Sequence, residues 1–269
     1  MAVAHAQREA PAASATRGPR RAVDVLLALT VADLRGRYGR GSARLFKWLF
    51  DPFAVVGVYL FLVTLILNRP GEAPGLSIAC AVVAFQIVVT SIVSSMDSIR
   101  QRASIILNMG FRRELIPLSS TLTESTAFSS SVVLLGLMMA IYGLAPTVAI
   151  LWFPLVVAVN LLFAAAIAYP LTLIGLWYED MRLFVVSLAR AMFFLAPSLV
   201  PLSQLSGQIA DWIKLNPLTG LFEGYRDALL YGQAPAAWEL LYPLAFSIVL
   251  LAVFVPIFRR EQRHFAKLV

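Results

Sequence analysis

The chain has 269 residues, 59% of them hydrophobic and 14% charged, with a net charge of +7. An ordinary soluble domain carries roughly 25% charged residues and has too little interior at this size to hide so much apolar surface. The bilayer must serve as its solvent, and the basic residues, which fall between apolar runs, read as membrane topology rather than as a nucleic-acid face. The single cysteine, Cys80, lies inside an apolar run, so an intrachain disulfide is excluded. His5 and His264 sit near opposite termini, and no metal site is expected from them.

Residues 1–19 are Ala-rich, with Pro11, Gly18 and Pro19, and are expected to form a disordered cytoplasmic leader. They contain no apolar h-region of the kind a signal peptide needs. Over 20–45, Val23, Leu26, Leu27, Thr30, Val31 and Leu34 follow helical spacing beside Arg21, Asp24, Arg35, Arg37 and Arg40. This predicts an amphipathic helix lying in the membrane interface against anionic lipid, or a solvated helix packed on a partner.

Residues 46–269 then form the transmembrane domain. Apolar spans fall at about 48–67, 76–96, 115–142, 148–177, 183–202 and 240–258. Each is near or above the roughly 20 residues needed to cross the hydrocarbon core. Spans three and four are long enough to tilt, and Pro170 is expected to kink span four. With six spans and both termini on one side, that side holds 19 Lys and Arg residues and the other holds three: Arg69, Lys214 and Arg226. The positive-inside rule then places both termini in the cytoplasm. The expected fold is all-α: six transmembrane helices, an interface helix before them, and two short re-entrant helices between spans five and six.

The re-entrant helices come from the stretch 203–239, which is too long for a connector and too apolar for a solvated loop. Its helical part covers about 206–233, with Asn216-Pro217 as the turn, because a residue before proline is pushed out of helical geometry. Trp212, Phe222, Tyr225, Tyr231, Trp238 and Tyr242 supply the amphipathic aromatics of a headgroup layer. On the opposite side, 97–114 places Ile99, Ala103, Ile106 and Met109 at helical spacing beside Arg100 and Arg102. Phe111, flanked by Arg112 and Arg113, suits docking into a partner's groove.

Several of these pieces carry a family resemblance. Asn216-Pro217-Leu218, Glu223, Tyr225-Arg226-Asp227 and Leu229-Leu230-Tyr231-Gly232 are the most specific. Phe111-Arg112-Arg113-Glu114-Leu115-Ile116-Pro117, the Tyr178-Glu179-Asp180 turn and the Ser198 to Pro201 end of span five support them. Together they resemble the type-2 permeases of ATP-binding-cassette exporters, and among those the polysaccharide, O-antigen and teichoic-acid exporters. Before span one the family's Ser-Leu-Gly-x-x-Trp reads here as Ser42-Ala43-Arg44-Leu45-Phe46-Lys47-Trp48.

The resemblance implies a homodimer with two copies of a separate ATPase, in a bacterial inner (plasma) membrane. It also implies a lipid-linked glycan, destined for lipopolysaccharide or cell wall, moved from the cytoplasmic to the outer face. ATP and Mg would sit on the partner ATPase, with no cofactor on this chain. Arg100, Arg102, Phe111, Arg112, Arg113 and Glu114 would form the ATPase-coupling segment; Trp212, Asn216, Pro217, Glu223, Tyr225 and Arg226 would form the outer gate. The same fold also exports drugs or small lipids, which is the nearer alternative.

Local chemistry points away from an enzyme. A membrane-embedded polyprenyl-lipid transferase needs clustered carboxylates or histidines at one face, and Glu179-Asp180 is the only adjacent carboxylate pair in the sequence, with no third ligand evident near it. Leu205-Ser206-Gly207-Gln208 imitates an ATPase signature by chance, since the chain has no phosphate-binding Gly-x-x-x-x-Gly-Lys-Ser/Thr loop. No catalytic residue is expected. Glu124 and Arg190 are intramembrane charges, expected either to pair or line a channel, or to reach water separately. The hydroxyls of span three, from Ser119 to Ser131, fit a hydrophilic path or close packing with bonds back to their own helix.

Overall fold

A computed structural model describes residues 19–38, 43–61, 73–103, 112–178, 180–205, 207–262 and 265. Among these there are helices and no strands. In chain order they are α1 (Pro19–Tyr38), α2 (Ala43–Phe61), α3 (Pro74–Gln101), α4 (Leu115–Ile141) and α5 (Phe153–Trp177), the last entered through a 3-10 turn at Val148–Trp152. Then follow α6 (Met181–Leu195), α7 (Gly207–Ile213), α8 (Pro217–Arg226), a π turn over Asp227–Tyr231, and α9 (Ala237–Glu261).

Four of the expected spans are helices long and apolar enough to cross a membrane: Pro74–Gln101, Leu115–Ile141, Val148–Trp177 and Ala237–Glu261. Span one appears as α2, and its expected end at residues 62–67 lies outside the described residues, as do the leader before residue 19 and residues 104–111. Span five departs from expectation. Its helix stops at Leu195 after 15 residues, and Ala196 turns to extended geometry (φ −87°, ψ 164°). Pro197 follows, and a residue before proline is driven out of helical backbone.

Helix α3 is the axis of the bundle. It packs against α2, α4, α5, α6 and α8, and 72% of its apolar window is buried, against 17% for α9. Its apolar side chains are therefore spent on protein contacts, whereas those of α9 (Leu241, Ile248, Val249 and Val253) remain on the outside for lipid or a partner. Two glycines set the closest approaches. A Cβ on Gly175 of α5 would lie 2.2 Å from the Met96 carbonyl oxygen of α3, and one on Gly220 of α8 would lie 2.6 Å from the Glu239 carbonyl oxygen of α9. At both points backbone rests on backbone, the arrangement small residues allow between membrane helices.

α1 is the predicted amphipathic helix. Val23, Leu27 and Val31 are exposed along one side, while Leu29 and Thr30 are buried on the side that packs on α4. α7 and α8 occupy the predicted half-helix positions, with Asn216-Pro217 between them.

Candidate functional site

The two ends of the bundle carry different chemistry. At the end holding α7 and α8, the interrupted helix α6 leaves carbonyls that its own turns cannot satisfy, a costly state away from water. Arg226 meets them. Its Nη1 donates to the Pro197 carbonyl at 2.6 Å and to Glu223 Oε1 at 2.6 Å; its Nη2 donates to the Ser198 carbonyl at 2.9 Å. Nε donates to Ser77 Oγ at 2.9 Å and to the Ser77 carbonyl at 3.3 Å. Glu223 also accepts from the Leu202 backbone N–H at 3.1 Å. One fully buried guanidinium thus joins α3, the break after α6, and α8.

The i, i+3 spacing of Glu223 and Arg226 was enough to predict their ion pair, and the structure makes it. Ser77, Pro197 and Ser198 were missed as partners. The signal available was the pair Ala196-Pro197 inside an apolar run, which marks a break whose carbonyls need donors.

The other residues expected at this end divide. The Asn216 side chain accepts from Leu218 N–H at 3.0 Å as the N-cap of α8 and donates to the Met192 carbonyl at 2.8 Å, while Pro217 occupies the first turn, where it loses no hydrogen bond. Tyr225 is fully buried, its hydroxyl accepting from Asn160 Nδ2 at 3.2 Å. Trp212 stands apart, 75% exposed on α7. Beyond α8, Gln233 Nε2 donates to Asp227 Oδ1 at 2.9 Å, and the Ala236 N–H donates to Glu239 Oε2 at 3.1 Å. Burial pushes the Asp227 carboxyl above the ordinary aspartate range, with the Gln233 hydrogen bond pulling it back.

At the basic end, Arg102 behaves differently from its neighbours in the predicted coupling segment. It is buried, and its Nη2 donates to Asp33 Oδ2 of α1 in a close ion pair. Its Nη1 reaches the Ser98 carbonyl and Ser120 Oγ, each at 3.3 Å. Its side chain thus points into the protein, tying the interface helix to α3 and α4. Arg100 and Arg112 are exposed, and Arg112 lies 3.6 Å from Glu114. Arg113 donates to the Gln262 carbonyl at 2.5 Å, and Glu114 pairs with Arg259 at 3.0 Å, so the segment is fastened to the end of α9. Phe111 lies outside the described residues.

Glu124 and Arg190 are not brought together. Glu124 is buried on α4 and accepts from Ser94 Oγ of α3 at 2.9 Å, whereas Arg190 is exposed on α6. Among the described residues the two form no ion pair with each other. The hydroxyls of α4 bond largely to their own helix: Ser119, Ser120, Thr121, Thr123, Thr126 and Ser129 each donate to a carbonyl three or four residues back. Between α1, α3 and α4 a cavity of about 480 Å³ opens beside the Asp33–Arg102 pair. Among the described residues no three His, Cys, Asp or Glu side chains are arranged to hold a metal ion.

Long apolar helices packed on a buried central one define a polytopic membrane protein. The chain belongs to the ABC-2 type transporter family, which matches residues 25–230. That membership makes it a transport subunit rather than an enzyme. It is 28% identical to the O-antigen export system permease protein RfbA of Myxococcus xanthus, over 90% of this chain and 94% of that protein. It is 24% identical to an O-antigen export system permease protein RfbA of Klebsiella pneumoniae, over 91% of this chain and 95% of that one.

Proposed function

We propose that this permease is the membrane half of an ATP-driven exporter that carries an O-antigen polysaccharide, attached to lipid, from the cytoplasmic to the outer face of the bacterial inner membrane. The observation that carries the substrate class is near full-length similarity to permeases named for O-antigen export in two bacteria. In this reading the chain has six spans and both termini in the cytoplasm, supported by the 19-to-3 division of Lys and Arg. It works as a homodimer with two copies of a separate ATPase, and ATP and Mg bind on that partner.

The described contacts suit such a cycle. The exposed Arg100 and Arg112 offer a basic surface at the cytoplasmic end, next to a segment fastened to α9 through Arg113 and Glu114. α3 runs from that end to Ser77, the partner of Arg226 at the outer end. A push on the coupling segment is thereby transmitted along one helix to the outer gate residues, where α7 and α8 dip into the outer leaflet. The glycan passes between the two protomers, with Arg190, exposed on the single chain, facing lipid headgroups or that path.

The test is complementation and co-purification. In a bacterium lacking its O-antigen permease, the chain expressed with its cognate ATPase is expected to restore surface O-antigen and to purify as a two-plus-two complex. Arg112→Glu is expected to lower glycan-dependent ATP hydrolysis at least fivefold. An intact, folded permease that recruits no ATPase and restores no surface polymer would overturn the reading.

A further inference from the structure

We propose that α9 is a second transmission element between the ATPase-facing segment and the outer turn, with Arg259 as the positioning residue that joins it to that segment. The inference rests on the proposed partnership with an ATPase. Arg259 itself lies outside residues 25–230, the part of the chain that the family matches.

Side chains of the segment lead to the end of α9. Arg259 Nη2 lies 3.0 Å from Glu114 Oε2, and Arg113 Nη1 donates to the Gln262 carbonyl at 2.5 Å. A half-exposed ion pair is weak by itself, because water screens it and two long side chains must be ordered. Here it closes over a small core separate from that of the bundle. Phe258 and Phe265 are fully buried there, packed with Ile99 of α3, Ile116 of α4 and Tyr169 of α5. Phe258 stands edge-on to Tyr169 and to Phe265, with ring centroids 5.5 and 5.2 Å apart. The Tyr169 hydroxyl donates to the Glu114 carbonyl at 3.2 Å. An ion pair, a hydrogen bond and a shared aromatic core thus join segment to helix, so that displacing one carries the other.

The far end of α9 grips the outer turn. Tyr242 Oη donates to the Leu215 carbonyl at 2.7 Å. At Gly220 the backbone of α8 meets the Glu239 carbonyl, which Pro243, lacking an N–H, leaves without its helical donor. Between these joints the 25 residues of α9 cover about 37 Å at 1.5 Å per residue, enough to cross the hydrocarbon core. Burial decides which helix shifts more readily. α3 is enclosed by protein, and moving it would break close packing along its length. α9 is the least buried of the four long apolar helices, and its Leu241, Ile248, Val249 and Val253 face outward. Lipid tails are as apolar as these side chains, so a shift against lipid costs little.

The test drives one end of α9 and reads the other. Leu215→Cys supplies a label site, since that side chain is 60% exposed whereas the natural Cys80 is fully buried. The permease–ATPase complex in lipid nanodiscs would be reacted with a water-soluble maleimide, without nucleotide and then with ATP plus vanadate. In this parent, nucleotide is expected to change the labelling rate at least fivefold. Arg259→Glu sets two carboxylates side by side at Glu114. It is expected to reduce that change to less than twofold, while the complex stays assembled and its nucleotide-free rate is unaltered. Combining Glu114→Arg with Arg259→Glu restores the pair and is expected to recover the response. If Arg259→Glu does not assemble, Arg259→Gln takes its place, with a loss of at least twofold expected. A shifted nucleotide-free rate would mark Arg259 as merely structural and overturn the inference. A full response in the variant, a swap that recovers nothing, or a parent without any response would each do the same. Failure of the export reading leaves a different trace: the parent restores no surface O-antigen, while its labelling response still depends on Arg259.

Discussion

Arg226 and Arg102 are both buried arginines, at opposite ends of the chain's long helices, yet they are built to different standards. Every nitrogen of Arg226 donates, four of its five hydrogen bonds are under 3.0 Å, and its carboxylate partner is three residues away on the same helix. Arg102 reaches two acceptors at 3.3 Å and one carboxylate on a separate helix, and its Nε has none. Burial alone therefore says little about how firmly a charge is fixed. What matters is the number of acceptors already in place before the charge arrives. Arg226 is a bolt through three elements; Arg102 is a single tether beside a cavity.

The comparison is broken most directly at Arg226. Arg226→Ala leaves Glu223 charged and buried and strips donors from the Pro197 and Ser198 carbonyls. A loss of about 3–5 kcal/mol is expected, seen as a collapse of folded yield in detergent. A melting temperature near that of the parent would show that water satisfies those groups and that the bolt is not structural.

Asp33→Asn probes the tether. It removes the charge facing Arg102 while keeping an acceptor, for an expected cost of about 2 kcal/mol. The expected signature is local, with faster proteolysis of α1 and little change in melting of the remaining helices. If α1 keeps its protection, packing on α4 rather than the ion pair holds it.

The smallest effect belongs to Asp227. Because burial raises its folded-state pKa, the folded protein favours the protonated carboxyl, and charging it as pH rises past the unfolded value costs stability. Asp227→Asn is expected to stabilise the fold at pH 8 by about 1 kcal/mol or less, read as a higher melting temperature, and to leave stability unchanged near pH 4. An equal shift at both pH values would assign the gain to something other than charge.

Much of this was legible where the cause is local. The turn at Asn216-Pro217, the Glu223–Arg226 pair and the amphipathic face of α1 follow from spacings of one to four residues, which helix geometry converts into contact. The partners lying far along the chain were not legible. Ser77 is 149 positions from Arg226, and Asp33 is 69 from Arg102, separations on which helical periodicity is silent. Glu124 shows the same limit. Its depth marked it as a charge in need of company, and one group that meets it is a neutral hydroxyl, Ser94, 30 positions away. The break in span five was written in Ala196-Pro197, but the surrounding apolar run hid it.

The two glycine contacts have a mechanical meaning. Where α5 meets α3 at Gly175 and Met96, and α8 meets α9 at Gly220 and Glu239, no side chain lies between the backbones to flex or change rotamer. Such joints slide poorly, so α3 with α5, and α8 with α9, move as stiff blocks. The compliance needed for a transport cycle is then left to elements without such joints: α1, which packs on α4 and is tied to α3 through the Asp33–Arg102 pair, and the unwound turn after Leu195, gripped by the Arg226 guanidinium.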